Sequence, residues 1–229
     1  MGGSMRWGAA GCDLMHGLMK RTRHGDIARF DQWSGSYDRT PGQSFFRRIH
    51  RPVVEAICSR RAMPRRVVDI GCGTGRLLEK VLHRLPDAEL VGVDPAEGMI
   101  AVASQRFTAE PRVRLEVAMA EHLPLADASV DVVTTTMSFH HWADQDAALR
   151  EVARVLAPGG RFLLADVLGI GFFGRIMRST GGRHGIGYRD AAELTRLLHD
   201  AGFSAWRRRH LFWPGVPIYL VEAHLAATP

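Results

Sequence analysis

The stretch "VVDIGCGTGRLL", Val67 to Leu78, constrains this chain more than any other. Two β-branched residues open a buried strand, three glycines within five positions form a tight turn, and an apolar-spaced segment follows as a helix. The reading is a strand–loop–helix unit of an open α/β sheet, with its ligand crevice at the strand's carboxyl end. The loop is not a standard nucleotide cradle. Arg76 stands where a dinucleotide fingerprint needs its third glycine, and the GK[ST] ending of a P-loop is missing. Asp69 sits at the mouth of the turn, where a carboxylate opposes a pyrophosphate and favours a cation. "LVGVDP" ends the next strand on Asp94, an acid placed for bidentate hydrogen bonding to ribose hydroxyls. An amino-acid-like cation joined to a nucleoside without phosphates meets both demands, and S-adenosylmethionine is such a molecule.

Short apolar runs alternate with helical periodicity from Arg66 onward. Strands are predicted at Val67–Ile70, Leu90–Val93, Val113–Val117, Val130–Thr135 and Arg161–Asp166. Helices are predicted at Thr74–Leu85, Pro95–Phe107, Asp144–Leu156 and Asp190–Ala201. That rhythm means βαβ units and a mainly parallel sheet covered on both faces. "SAWRRRHLFWPGVPIYLVEAHL" breaks it, reading as two antiparallel strands around a Pro-Gly turn. Ahead of the sheet, Asp26 reads as the cap of a short helix through Ile27 and Phe30. "SGSYDRTPGQ" reads as turn, and Phe45–Arg60 as a helix. Residues 1–25 read as a loose leader and 26–229 as a single domain. In it, 26–65 form a helical cover and the glycine-rich 168–187 connection is a candidate lid.

Hydrophobic residues make up 46% of the 229, enough for a sizeable core. Net charge is +6, but it is lopsided: residues 1–66 hold 13 basic and 5 acidic side chains, +8, and the other 163 hold 17 and 19, −2. Of the 30 basic residues 28 are arginine, scattered rather than set in a phosphate-tracking stripe, so no nucleic-acid partner is expected. Cys12, Cys58 and Cys72 contain no CxxC pair, which suits a reduced, cytoplasmic protein. No apolar run is long enough to span a bilayer, so no membrane insertion is expected. A homodimer is compatible with the sequence.

Five ordered segments, "YDRT", "VVDIGCGTGRLL", "LVGVDPAEGMI", "AEHLPLADASVDVVTTTMSFHHWAD" and "ALREVARVLAPGGRFLLADV", cover most of residues 37–167. In this order they resemble the class I S-adenosylmethionine-dependent methyltransferases. The likeness is greatest to the group of quinone-biosynthesis and natural-product enzymes. The resemblance implies a Rossmann-like, doubly wound, seven-stranded sheet with a carboxyl-terminal antiparallel hairpin, and methyl transfer to a small, apolar or aromatic acceptor.

It also implies residue roles. Asp69 and the loop Gly71, Cys72, Gly73 and Gly75 hold the methionine end, and Asp94 the ribose. Pro95 and Met99 line the adenine, Ala120 and Glu121 run along its edge, and Thr136 and Tyr37 complete the cofactor side. Met119 departs from the family, which often has an acid there. No NPPY-like tetrapeptide follows the fourth strand, which argues against nucleobase methylation. His140 and His141, just past that strand, are the candidate general bases, since histidine takes a proton near neutral pH. Capping or packing of the next helix is their structural alternative. No metal is expected, because adjacent histidines diverge and no third ligand is evident. Two rivals stay open: a fold member that binds S-adenosylmethionine without methyl transfer or catalyses a cyclisation, and a nicotinamide-dependent dehydrogenase, which Asp69 and Arg76 disfavour.

Overall fold

The computed structural model describes residues 23–40, 43–59, 63–170, 172, 174, 176, 179, 187–211 and 217–225. A seven-stranded sheet runs through it. The strands are β1 (Arg66–Ile70), β2 (Glu89–Asp94), β3 (Val113–Val117), β4 (Val130–Thr136), β5 (Leu156–Val167), β6 (Phe203–His210) and β7 (Ile218–Leu225). Their spatial order is β3-β2-β1-β4-β5-β7-β6. β1 to β5 pair in parallel, while β7 pairs antiparallel to both β5 and β6. The helices are α1 (Arg23–Tyr37), α2 (Gln43–Ile57), α3 (Arg76–Arg84), α4 (Glu97–Arg106), α5 (Gln145–Val155) and α6 (Ala191–Asp200). A 3-10 turn covers Phe139–His141.

The central strands are buried on both faces, as their near-continuous apolar runs require. One core layer joins Ile49, Val53 and Ile57 of α2 to Leu78 and Val81 of α3. The opposite layer joins Leu149 and Val152 of α5 to Leu194 and Leu198 of α6. Helix starts follow local chemistry. Asp144 caps α5 by accepting from the Ala147 N–H at 3.0 Å, and Asp190 and Glu193 close a reciprocal capping box on α6.

The sheet strands and helices lie where the sequence places them, apart from their ends. β5 is the main extension, beginning at Leu156 where its first residue pairs with Val130. The amino-terminal segment differs more. α1 does not stop before "SGSY" but continues through Gly35 to Tyr37, and Asp26 lies inside it instead of capping it. Tertiary contacts override the turn propensity: the Asp31 carboxylate accepts from the Gly98 N–H at 2.8 Å, and Phe30, Trp33 and Tyr37 pack ring against ring. α2 carries Pro52 in its interior and buries one face against α3. Residues 1–22, most of the candidate lid, and the Pro-Gly turn at 214–215 fall outside the described residues. No described helix is long and apolar enough to cross a membrane.

Candidate functional site

The crevice lies at the carboxyl ends of β1, β2 and β4. The β1 loop folds back so that the Gly71 and Cys72 N–H groups both donate to the Val93 carbonyl. Gly73 has a φ of +53°, and a side chain built there would enter open space in the cavity. A left-handed backbone next to a ligand-sized gap is what glycine supplies. Gly71 is restricted for another reason, since a side chain on it would run into Ser138.

Two carboxylates face this loop. Asp69 is 2% exposed and its Oδ1 has no hydrogen-bond partner. Burial, with Asp94 adding its charge, pushes its carboxyl well above the usual carboxylate range. Asp94 accepts from the Gly73 N–H through Oδ2 at 2.8 Å and from the Ala96 N–H through Oδ1 at 2.9 Å. Burial nonetheless raises it to about 6, the two N–H groups pulling the other way. An orphaned, buried carboxylate beside an open glycine cradle is an arrangement that a cationic ligand completes.

One cavity is lined by Tyr37, Asp69, Gly71, Cys72, Gly73, Asp94, Pro95, Met99, Ala120, Glu121, Thr136 and His141. Glu121 accepts from the Asp144 N–H through Oε1 at 2.8 Å, while its buried Oε2 has no partner. Met119 lines the same wall. Tyr37 is held protonated by burial and by Asp94 and Asp38. Asp38 anchors the end of the cover, bonded to the Thr74 hydroxyl at 2.7 Å and ion-paired with Arg76 at 3.1 Å and with Arg106.

Two predicted residues do not reach the cavity. Gly75, φ +79°, precedes α3, and a side chain there would strike the Phe107 ring, so its surroundings are those of a packing turn. His140 is 4% exposed and turned into the protein. Its Nδ1 lies 2.6 Å from Oδ1 of the fully buried Asp166, and its ring stacks on Tyr188. Only His141 of the pair lines the cavity, its Nδ1 2.9 Å from Asp26 Oδ2. Trp33 packs against Phe30 and Tyr37 and is not among the lining residues, whereas Trp142 is.

The sequence reading also missed Asp26, Phe30, Gln43, Phe46, His50 and Met137, all on the cavity wall. His50 is buried with its Nδ1 unpartnered, and burial, then Lys80 and Arg76, lower its pKa to about 4. Its place on the apolar face of α2, beside Ile49 and Val53, was the available signal. No group of three or more metal-ligating side chains occurs among the described residues.

A mainly parallel sheet with this strand order, a glycine loop after β1 and an acid closing β2 define a Rossmann-like, doubly wound domain whose crevice suits a nucleoside ligand. Residues 68–164 match the family model described as Methyltransferase domain, so this stretch of the chain is similar to that family. A demethylmenaquinone methyltransferase of Thermus thermophilus is 41% identical over 104 residues, 45% of this chain and 47% of that protein. A malonyl-[acyl-carrier protein] O-methyltransferase of Geobacter sulfurreducens is 34% identical over 169 residues, 69% of this chain and 62% of that protein. The chain spans about half the length of the first of these relatives. The fold matches the crystal structure of a SAM-dependent methyltransferase from Thermotoga maritima with a TM-score of 0.65, covering 86% of this chain and 98% of that one at 22% identity. S-adenosylmethionine is the cofactor of this domain, and the unpartnered Asp69 carboxylate and the open Gly73 cradle fit it.

Proposed function

We propose that this protein transfers the methyl group of S-adenosylmethionine to an oxygen, nitrogen or carbon atom of a small, apolar or aromatic metabolite. The observation that carries the reading is one cavity that combines the carboxylates Asp69 and Asp94 with apolar walls from Phe30, Phe46, Leu77, Met137 and Trp142, and with His141. In this reading Asp69 and the Gly71–Gly73 backbone hold the ammonium end, and Asp94 the ribose. Pro95 and Met99 flank the adenine. Glu121 Oε2 takes its amino group, in place of the acid that Met119 replaces. The bound cofactor supplies an electrophilic methyl on a sulfonium. The chain's part is to align the acceptor with that methyl, keep water out and take up a proton. Tyr37 and Phe30 on α1 close the cavity from above, and His141 is the proton acceptor. His140, locked on Asp166, supports it from behind.

The relatives named for a quinone and for a malonyl thioester support secondary metabolism or quinone-like biosynthesis as the setting. A cytoplasmic location, no nucleic-acid partner and a homodimer belong to the same reading. The test is release of S-adenosylhomocysteine from S-adenosylmethionine in the presence of quinols, phenols, catechols and malonyl thioesters, beside calorimetric titration with S-adenosylmethionine and NADH. Binding of S-adenosylmethionine with acceptor-dependent turnover supports the proposal. Binding without methylation of any compound in these classes or in a cell extract overturns it in favour of a non-methylating member of the fold, and NADH binding overturns the cofactor assignment.

A further inference from the structure

His140 and His141 are adjacent, their ring centroids 4.1 Å apart, and each has its Nδ1 on a buried aspartate. The two aspartates differ. Asp166 is saturated: Oδ1 also accepts from the Val167 N–H, and Oδ2 accepts from the His140 N–H. Asp26 lines the cavity, and its Oδ1 is buried with no hydrogen-bond partner. It also reaches His141 from 115 residues away, on the first turn of the cover helix.

We infer that Asp26 is a positioning residue, which holds His141 as the Nδ1–H tautomer so that Nε2 takes the acceptor's proton, and that this base is complete only while α1 is seated. This rests on the methyl-transfer reading above. In the step, the acceptor atom bonds to the methyl carbon and the carbon–sulfur bond breaks with its pair going to sulfur. The acceptor's proton passes to His141 Nε2, and the imidazolium so formed is stabilised by the Asp26 carboxylate.

Three contacts seat the helix that carries Asp26. Besides His141, Asp31 of α1 accepts from the Gly98 N–H at the start of α4, and Asp38 just past α1 binds Thr74, Arg76 and Arg106. The groups facing His141 are Asp26 from α1, His140 from its own turn and Asp166 from β5, with Tyr188 stacked behind His140. Burial, then the neighbouring His140, lowers the pKa of His141, so it is neutral and able to accept a proton at physiological pH, while Asp26 opposes that shift.

The test is the long-range ¹H–¹⁵N spectrum of histidine-labelled protein, free and with S-adenosylhomocysteine, for wild type and Asp26→Asn, which keeps size and removes charge. The wild type should show His141 as the Nδ1–H tautomer. Asp26→Asn should lose that preference and titrate His141 at lower pH, with the Gly98 amide shift unchanged because Asp31 still seats α1. On an acceptor from the panel above, its kcat should fall by about 10²–10⁴-fold with little change in the KM for S-adenosylmethionine, and Asp26→Glu should restore part of it. An Nε2–H tautomer in the wild type, or an unchanged His141 tautomer and titration in Asp26→Asn, would overturn the inference. Failure of the wild type to methylate anything would overturn the proposed function instead, and leave the tautomer result to stand by itself.

Discussion

Replacing Asp69 by Asn should make the empty protein more stable and the cofactor complex weaker. Asp69 is 2% exposed, one of its oxygens has no partner, and Asp94 stands nearby as a like charge. A buried polar group without a partner costs about 1–3 kcal/mol, and an unpaired charge at least that. The amide keeps the shape and removes the charge. At about 2–4 °C per kcal/mol for a chain of this size, the melting temperature of the empty protein should rise by roughly 2–12 °C. The sign has a pH signature. The folded pKa of Asp69 lies above its unfolded value, so the wild type is least penalised below the ordinary carboxylate range and loses stability as pH rises through the raised pKa. The gap between variant and wild type should therefore be small near pH 4 and grow toward neutrality. In the complex the ordering reverses. A charge-assisted hydrogen bond to the ligand ammonium contributes about 1.5–3 kcal/mol, so Asp69→Asn should weaken S-adenosylhomocysteine binding by roughly 10- to 150-fold. Thermal scans with and without ligand, and calorimetric titration, measure both effects. An Asp69→Asn protein that is less stable when empty, or that binds the ligand as tightly as wild type, would refute the reasoning.

The remaining expectations are briefer. Asp94→Ala should cut S-adenosylhomocysteine affinity by roughly 10- to 150-fold, and wild-type affinity should decline as pH falls through about 6, where Asp94 takes up its proton; titration calorimetry across pH reads both. Gly73→Val puts a branched side chain into the cavity on a φ of +53°, so binding should be lost while circular dichroism stays native-like. His141→Ala should lower kcat by about 10²–10⁴-fold at nearly unchanged cofactor affinity, whereas His140→Ala, which takes one hydrogen bond from the buried Asp166 and leaves its two backbone N–H partners, should appear in denaturant unfolding as a loss of about 1–3 kcal/mol. His50 is held near 4, below the unfolded value of 6.5, so the fold loses stability as pH falls from 6.5 to 4, by about 3 kcal/mol at 1.36 kcal/mol per unit. His50→Gln should remove that part of the acid destabilisation in urea melts taken from pH 7 to 4.

The sheet, its helices and the strand-end residues that line the cavity were legible in the sequence because their signals are local. β-branched runs bounded by glycine mark β1, and Asp144 and Asp190 announce α5 and α6 by side chains that bond the first helical turn. Asp69, Gly73 and Asp94 are tied to strand ends, and a parallel sheet brings its carboxyl ends to one crevice whatever the loops do. The amino-terminal cover was not legible in this way. Ser34, Gly35 and Ser36 favour a turn when read alone, and they are helical because Asp31 and the aromatic row bind α1 to the domain. Asp26 looks like a cap in sequence and is a partner of His141 in space. The two histidines are indistinguishable as neighbours in a string. The 3-10 turn sends one ring to Asp166 and the other to the cavity.

By itself, then, the sequence determined the strand–helix rhythm, the glycine loop after β1 and the acid that closes β2, because each depends on neighbours within a few residues of one another. Tertiary structure alone decided which histidine faces the cavity, which carboxylate orients it, and that β7 rather than β6 lies against β5. Those choices depend on groups up to 115 residues apart, whose pairing is set by how the whole chain buries its apolar faces and not by any local preference.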